Sequence, residues 1–201
     1  MQVILAPHHD DALLSLADRL LEAGAASRLV LVVVFSDECP DLERVCERLH
    51  RALGFAPVLL GLPEARRRGL SLRAILNPRR GRPDGDPLVD TIADRAAAAL
   101  AGRGAAALLA PLTRTHLDHA LVGLAAEGLA ARLGLPLWLY EDLPYALLGR
   151  DRPVRRDRLP NHRPVAPARI RGLLDPLRPF LAGRDVERIL AHVASTVPDP
   201  A

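Results

Sequence analysis

An α/β fold, with a mostly parallel sheet covered by helices on both faces, is what this chain predicts, and three observations predict it. Short continuous apolar runs alternate with helix-period segments from the first residues onward, the pattern of strands buried on both faces. Gly24, Gly54, Gly102 and Gly134 each follow a helical run, where a left-handed C-terminal cap is expected. The 201 residues suffice for one such domain with a full core and are too few for two of comfortable size.

The elements follow in order. Val3 to Ala6 is an apolar run and opens the sheet; Ala12 to Ala23 then carries apolar residues at helical spacing. Leu29 to Ser36 is the second strand and Asp41 to Leu53 the second helix, followed by a strand at Pro57 to Leu60. Ala65 to Pro87 is rich in Arg, Gly and Pro. It reads as a short helix followed by a long loop, Asn77 to Pro87, of the kind that often borders a site. Val89 to Ala101 is helical, Ala106 to Ala110 a strand, His116 to Leu133 a helix and Leu135 to Tyr140 the last strand. From about residue 147 the chain is proline-punctuated and arginine-rich, with helical pattern only at Leu173 to Leu181 and Asp185 to Val193. One domain with an irregular C-terminal portion is therefore expected over residues 1–201.

Composition removes several functions. Hydrophobic residues are 49% and charged residues 25%, the balance of a globular protein. The longest apolar run, Leu29 to Phe35, has seven residues, against roughly 20 needed to span a bilayer. The first residues enter a strand with no basic n-region or cleavage site, which predicts a cytoplasmic protein without a membrane role. Cys39 and Cys46 would sit about 10 Å apart along a helix, too far for a disulfide, so both are expected as reduced thiols. All 27 basic residues are Arg and the net charge is +3, too little to imply a polyanion partner. Aromatic content of 3% offers no stacking platforms, and nucleic acid is excluded as a partner. Arginines concentrate at Arg66 to Arg82 and Arg150 to Arg171; both runs read as solvated loops, one or two of whose guanidinium groups can bind an anion bidentately.

The chemistry lies in two clusters. Pro7-His8-His9-Asp10-Asp11 follows the first strand, and Thr115-His116-Leu117-Asp118-His119 follows the strand Ala106 to Ala110. Imidazoles and carboxylates are costly to bury unless they are paired or hold a metal, and open α/β sheets place ligands at strand C-termini. His8 with Asp11 and His116 with His119 share i, i+3 spacing. Three ligands of the His/Asp/His type plus a water form a catalytic zinc set, and a spare Asp and a spare His supply a base and an oxyanion partner. His9, next to His8, competes as a ligand.

Together with Tyr140-Glu141-Asp142-Leu143-Pro144-Tyr145, these motifs resemble the PIG-L/LmbE-like deacetylases, in the same order and over about Val3 to Ala146. The resemblance implies a Rossmann-like three-layer fold and a zinc-dependent hydrolase that removes an acyl group from a small-molecule N-acylated amino sugar. Fe²⁺ or another divalent ion suits the same N/O ligands. It further implies His8, Asp11 and His119 as metal ligands and Asp10 as general base. His116 would polarise the carbonyl or protonate the leaving amine, in its charged form, with Asp118 tuning it. Arg68, in the segment after the third strand, and Glu141 and Asp142 are the expected substrate contacts. This chain has Ala12 where many members carry Glu, and Ser15 and Ala17 where many carry glycine. The competing reading is an inactive scaffold or anion-binding protein on the same fold.

Overall fold

The computed structural model describes residues 1–23, 29–37, 40–77, 83, 85–112, 115–148, 167–181 and 185–196. Its centre is a five-stranded parallel sheet in the order β3-β2-β1-β4-β5. The strands are β1 (Gln2–Ala6), β2 (Leu29–Val33), β3 (Val58–Leu59), β4 (Ala107–Pro111) and β5 (Leu137–Tyr140). All five lie inside or within one residue of the apolar runs that predicted them.

Strand alternation assigns the two faces. Ile4 and Ala6 point into one apolar cluster with Leu31, Val33 and Leu109. Val3 and Leu5 point into the other with Val32, Leu108 and Ala110. The first face is covered by α1 (Asp11–Ser15), α2 (Ala17–Ala23) and α3 (Pro40–Ala52). The second is covered by α5 (Pro87–Leu100) and α6 (Leu117–Leu133). Between β3 and α5 stands the short α4 (Leu72–Ile75). Helices α7 (Pro167–Leu174) and α8 (Asp185–Thr196) add Ile170, Leu174 and Ile189 to the first cluster.

Local chemistry explains where the boundaries moved. Helix α5 starts two residues earlier than the apolar pattern suggests, because the Asp86 carboxylate accepts the Leu88 N–H at 2.9 Å and Pro87 occupies the first turn. Gly134 closes α6 at φ 64° and ψ 33°, a conformation that costs a residue with a Cβ about 1–2 kcal/mol. Gly54 and Gly102 are also left-handed, while Gly24 lies outside the described residues. The helix expected over Ala12 to Ala23 is two helices, broken at Leu16 (φ −131°). Beside the break, the Ser15 hydroxyl accepts the Leu143 N–H at 3.0 Å, tying α1 to the chain just past β5. The helix expected over Leu173 to Leu181 is instead the end of α7 followed by a 3₁₀ turn, Asp175–Phe180. Pro176 and Pro179 lack the N–H groups that an α ladder needs there.

Cys46 is a buried free thiol, and Cys39 lies outside the described residues. No described helix is long and apolar enough to cross a membrane.

His50, on α3, is fully buried, and neither ring nitrogen has a hydrogen-bond partner among the described residues. Burial, with a smaller push from His9, lowers its pKa from 6.5 to about 4. The unfolded chain therefore takes up a proton below pH 6.5 that the folded chain refuses until about pH 4. Stability should be intact above 6.5, fall as pH drops through that window and level off below it, by on the order of 3 kcal/mol. Urea unfolding of wild type and His50→Leu between pH 7 and pH 4.5 checks this: the wild type should lose stability more steeply. Parallel curves would mean that His50 carries its proton in the fold.

Candidate active site

The strand order places the two motifs together. Winding runs outward in one direction through β1, β2 and β3, and in the other through β4 and β5, so it reverses between β1 and β4. Loops leaving the C-terminal ends of two such strands diverge to opposite faces and leave a crevice there. Val3 pairs with Leu108 and Ile4 with Leu109. The Pro7 to Asp11 turn and the His116 to His119 turn thus open on the same edge, although more than a hundred residues separate them.

His8, Asp11 and His119 each present a ligand atom, and the three atoms lie within 4.8 Å of one another. Asp11 Oδ2 is the centre of the group. It stands 3.1 Å from His8 Nδ1 and 3.5 Å from His119 Nε2, and it accepts the His8 backbone N–H at 2.7 Å. The remaining nitrogen of each imidazole is held by a second buried carboxylate. His8 Nε2 is 3.2 Å from Asp118 Oδ2, and His119 Nδ1 bonds to Asp142 Oδ2. Each ring is thereby fixed with one nitrogen on a carboxylate and the other toward Asp11, the arrangement that orients histidine ligands in metal sites. His119 is fully buried and its Nε2 makes no hydrogen bond among the described residues. A buried imidazole nitrogen without a hydrogen bond, beside a carboxylate and a second imidazole, suits a divalent cation.

Electrostatics agree. Burial first, and the Asp11 charge second, raise the Asp10 pKa to about 6. Burial would raise Asp11 as well, but His119 and His8 outweigh it and hold that carboxylate below its usual range. Burial opposes charging His119, while Asp11 and Asp142 raise its pKa on balance. Four carboxylates (Asp10, Asp11, Asp118 and Asp142) gather around two imidazoles and one guanidinium, an excess of negative charge that a divalent ion would neutralise.

Several sequence-based expectations change place. Asp118 does not serve His116. Its carboxylate accepts the Ala65 N–H at 2.9 Å and Arg68 Nη2 at 2.7 Å, besides meeting His8. Burial lowers the His116 pKa to about 3, with the nearby His119 and His8 adding to the effect, so this imidazole is neutral at pH 7 rather than charged. It stands at the N-cap of α6, yet its side chain makes no capping bond. His9 is buried away from the group, beside Ser36, Glu43, Glu47 and His50, and does not compete with His8.

Arg68, Glu141 and Asp142, expected to contact substrate, are taken up by other partners. Arg68 is committed to Asp118 and to Pro63 O at 3.1 Å, and lies 5.1 Å over the Phe35 ring. Glu141 receives His192 of α8 at 2.8 Å, and Asp142 holds His119. None of the three lines the cleft of about 200 Å³ beside the site, which is bounded by Glu64, Arg66, Leu72, His116, Asp118 and Tyr145 among others. A buried carboxylate requires a cation or a ring N–H, and these needs claimed the side chains first. Tyr145 is the residue that sequence reasoning left without a role: its ring is 4.8 Å from that of His119 and 5.4 Å from that of His116. The Tyr140 to Tyr145 motif contained the signal, but only the turn after β5 shows where the ring goes.

Fold and site define a class: parallel α/β proteins with a His/Asp/His group where the winding reverses. No protein-family model matches the chain, and no curated protein does. Solved structures do match. The A40926 pseudoaglycone deacetylase Dbv21 superposes with a TM-score of 0.69, covering 100% of this chain and 93% of its own, at 20% identity. The zinc-inhibited form of the teicoplanin deacetylase Orf2 matches with a TM-score of 0.68 over 94% and 89% of the two chains, at 15% identity. The N,N'-diacetylchitobiose deacetylase from Pyrococcus horikoshii matches with a TM-score of 0.54 over 94% and 70%, at 14% identity. At these identities the likeness is one of fold, and it is the three-layer α/β arrangement that the sequence predicts.

Proposed function

We propose that this protein is a divalent-metal-dependent hydrolase of the PIG-L/LmbE type that removes an acyl group, acetyl in the simplest case, from an N-acylated amino sugar or its conjugate. The observation that carries this reading is the convergence of His8 Nδ1, Asp11 Oδ2 and His119 Nε2, with His119 Nε2 making no hydrogen bond among the described residues. Deacetylases among the structures of the same fold support the choice of reaction.

A divalent ion held by these three side chains would act as a Lewis acid and lower the pKa of water. Asp10 takes the proton of the attacking water; its raised pKa makes it a stronger base than an ordinary carboxylate. His116, being neutral, donates an N–H to the amide oxygen as negative charge develops on it. The proton that the departing amine needs then comes from Asp10, because a neutral His116 has none to spare. Asp118 and Asp142 act through His8 and His119, setting their tautomers.

The test is a panel of N-acetylated amino sugars with free amine release as the readout, run on protein reconstituted separately with Zn²⁺ and Fe²⁺. Stoichiometric metal with amine release supports the reading. Protein that takes up no metal and releases no amine would be a scaffold on this fold. Asp142→Ala should weaken metal affinity by about 10- to 100-fold in a chelator competition, with Asp142→Asn weakening it less. Unchanged affinity in both would detach Asp142 from the centre.

A further inference from the structure

The segment that follows β5 carries two groups of the site. Asp142 bonds to His119 Nδ1, and Tyr145, which opens a 3₁₀ turn (Tyr145–Leu148), sets its ring 4.8 Å from that of His119. One hold on this segment is the Ser15 hydroxyl, which accepts the Leu143 N–H. Two more come from α8, near the far end of the chain. His192 Nε2 lies 2.8 Å from Glu141 Oε2, and Arg188 Nη2 donates to Leu147 O at 3.1 Å. Arg188 and His192 are i, i+4 neighbours on one face of α8, and they grip the segment toward its two ends. Between them Ile189 is fully buried in the apolar cluster that includes Leu143, and Leu147 packs against the same cluster.

Glu141 is only 4% exposed, and a carboxylate so buried needs a partner. Such a pair adds little net stability over apolar side chains of the same volume, but it specifies where the chain must lie. Two consecutive carboxylates divide that task here. Glu141 takes the imidazole of α8, and Asp142 takes the imidazole of the proposed ligand His119. Fixing the first side chain restricts the backbone torsions through which the second could drift from its ring. We infer that α8 clamps this segment and that His192 is a positioning residue for the metal centre: by holding Glu141 it keeps the Asp142 carboxylate on His119. The effect on metal rests on the proposed His8/Asp11/His119 centre; the clamp itself needs neither metal nor turnover.

Chelator competition for Zn²⁺ on the full chain tests the positioning role. His192→Ala should weaken binding of the ion by about 5-fold, less than the roughly 10- to 100-fold of a group that touches a ligand directly. His192→Gln, whose amide can still donate to Glu141, should recover most of the loss. Adding His192→Ala to Glu141→Ala should weaken the ion no further than Glu141→Ala alone, because the two side chains act as one unit. Leu100→Ala truncates the core on the opposite face of the sheet and serves as the comparison for stability: it should lower the melting temperature and leave affinity at the wild-type value. Amide hydrogen exchange on metal-free protein tests the clamp. The Leu143 and Leu147 N–H groups, bonded to Ser15 Oγ and Pro144 O, should exchange at least ~10-fold faster in His192→Ala. Wild-type affinity in His192→Ala, a loss that Leu100→Ala matches, or a further loss in the double variant would each overturn the positioning role. Unchanged exchange at Leu143 and Leu147 would overturn the clamp. Faster exchange in His192→Ala, together with a wild type that takes up no metal, would keep the clamp and remove the metal centre.

Discussion

Asp10→Asn is expected to leave metal content unchanged while amine release falls by about 10²-fold or more. The substitution keeps the shape of a side chain that belongs to no ligand set but lies among the charges of Asp11, His8 and His119. What it removes is basicity, and the structure supplies no obvious substitute. The Asp11 carboxylate is held below its usual range by His119 and His8, and Asp118 is occupied by Arg68, Ala65 and His8. Near-normal turnover with full metal would assign the proton transfer to another group.

Replacement of a ligand should have the other large effect. Asp11→Ala and His119→Ala are each expected to abolish stoichiometric metal after dialysis, measured by elemental analysis, and to abolish amine release with it. The two variants should differ in stability. Asp11→Ala removes the carboxylate at the centre but leaves His8 bonded to Asp118 and His119 bonded to Asp142. His119→Ala strands Asp142 in the core without its ring N–H, and an unpaired buried carboxylate costs several kcal/mol unless it takes up a proton. His119→Ala should therefore melt at the lower temperature. Full occupancy in either variant would show that the ion, if one binds, sits elsewhere.

Much of the fold was legible because buried parallel strands need no information beyond apolarity. Leu29 to Phe35 and Ala106 to Ala110 are apolar at every position, and they contain β2 and most of β4, strands covered on two faces. Helix starts were less legible, since Asp86-Pro87 starts α5 two residues before its apolar pattern. The break at Leu16 had no local signal. It stands beside a contact between Ser15 and Leu143, residues 128 apart in sequence. The two His/Asp clusters were legible for a different reason: i, i+3 spacing at a strand-to-helix turn places two side chains together without reference to the rest of the chain, while the choice of His8, Asp11 and His119 among them came from the family resemblance.

The sequence by itself determined the α/β layering, the two strand-end clusters and the residue types available for chemistry. These follow from periodicity and from the cost of burying charge. Only the tertiary structure decided how the charges share partners. Asp118, one residue from His119, meets His8 and Arg68 rather than His116, and Asp142 holds His119. His116 stays neutral because burial beside two other imidazoles outweighs the nearby carboxylates. A buried side chain takes the partner that lies within about 3 Å in the right direction, and sequence spacing does not specify distances between separate strands.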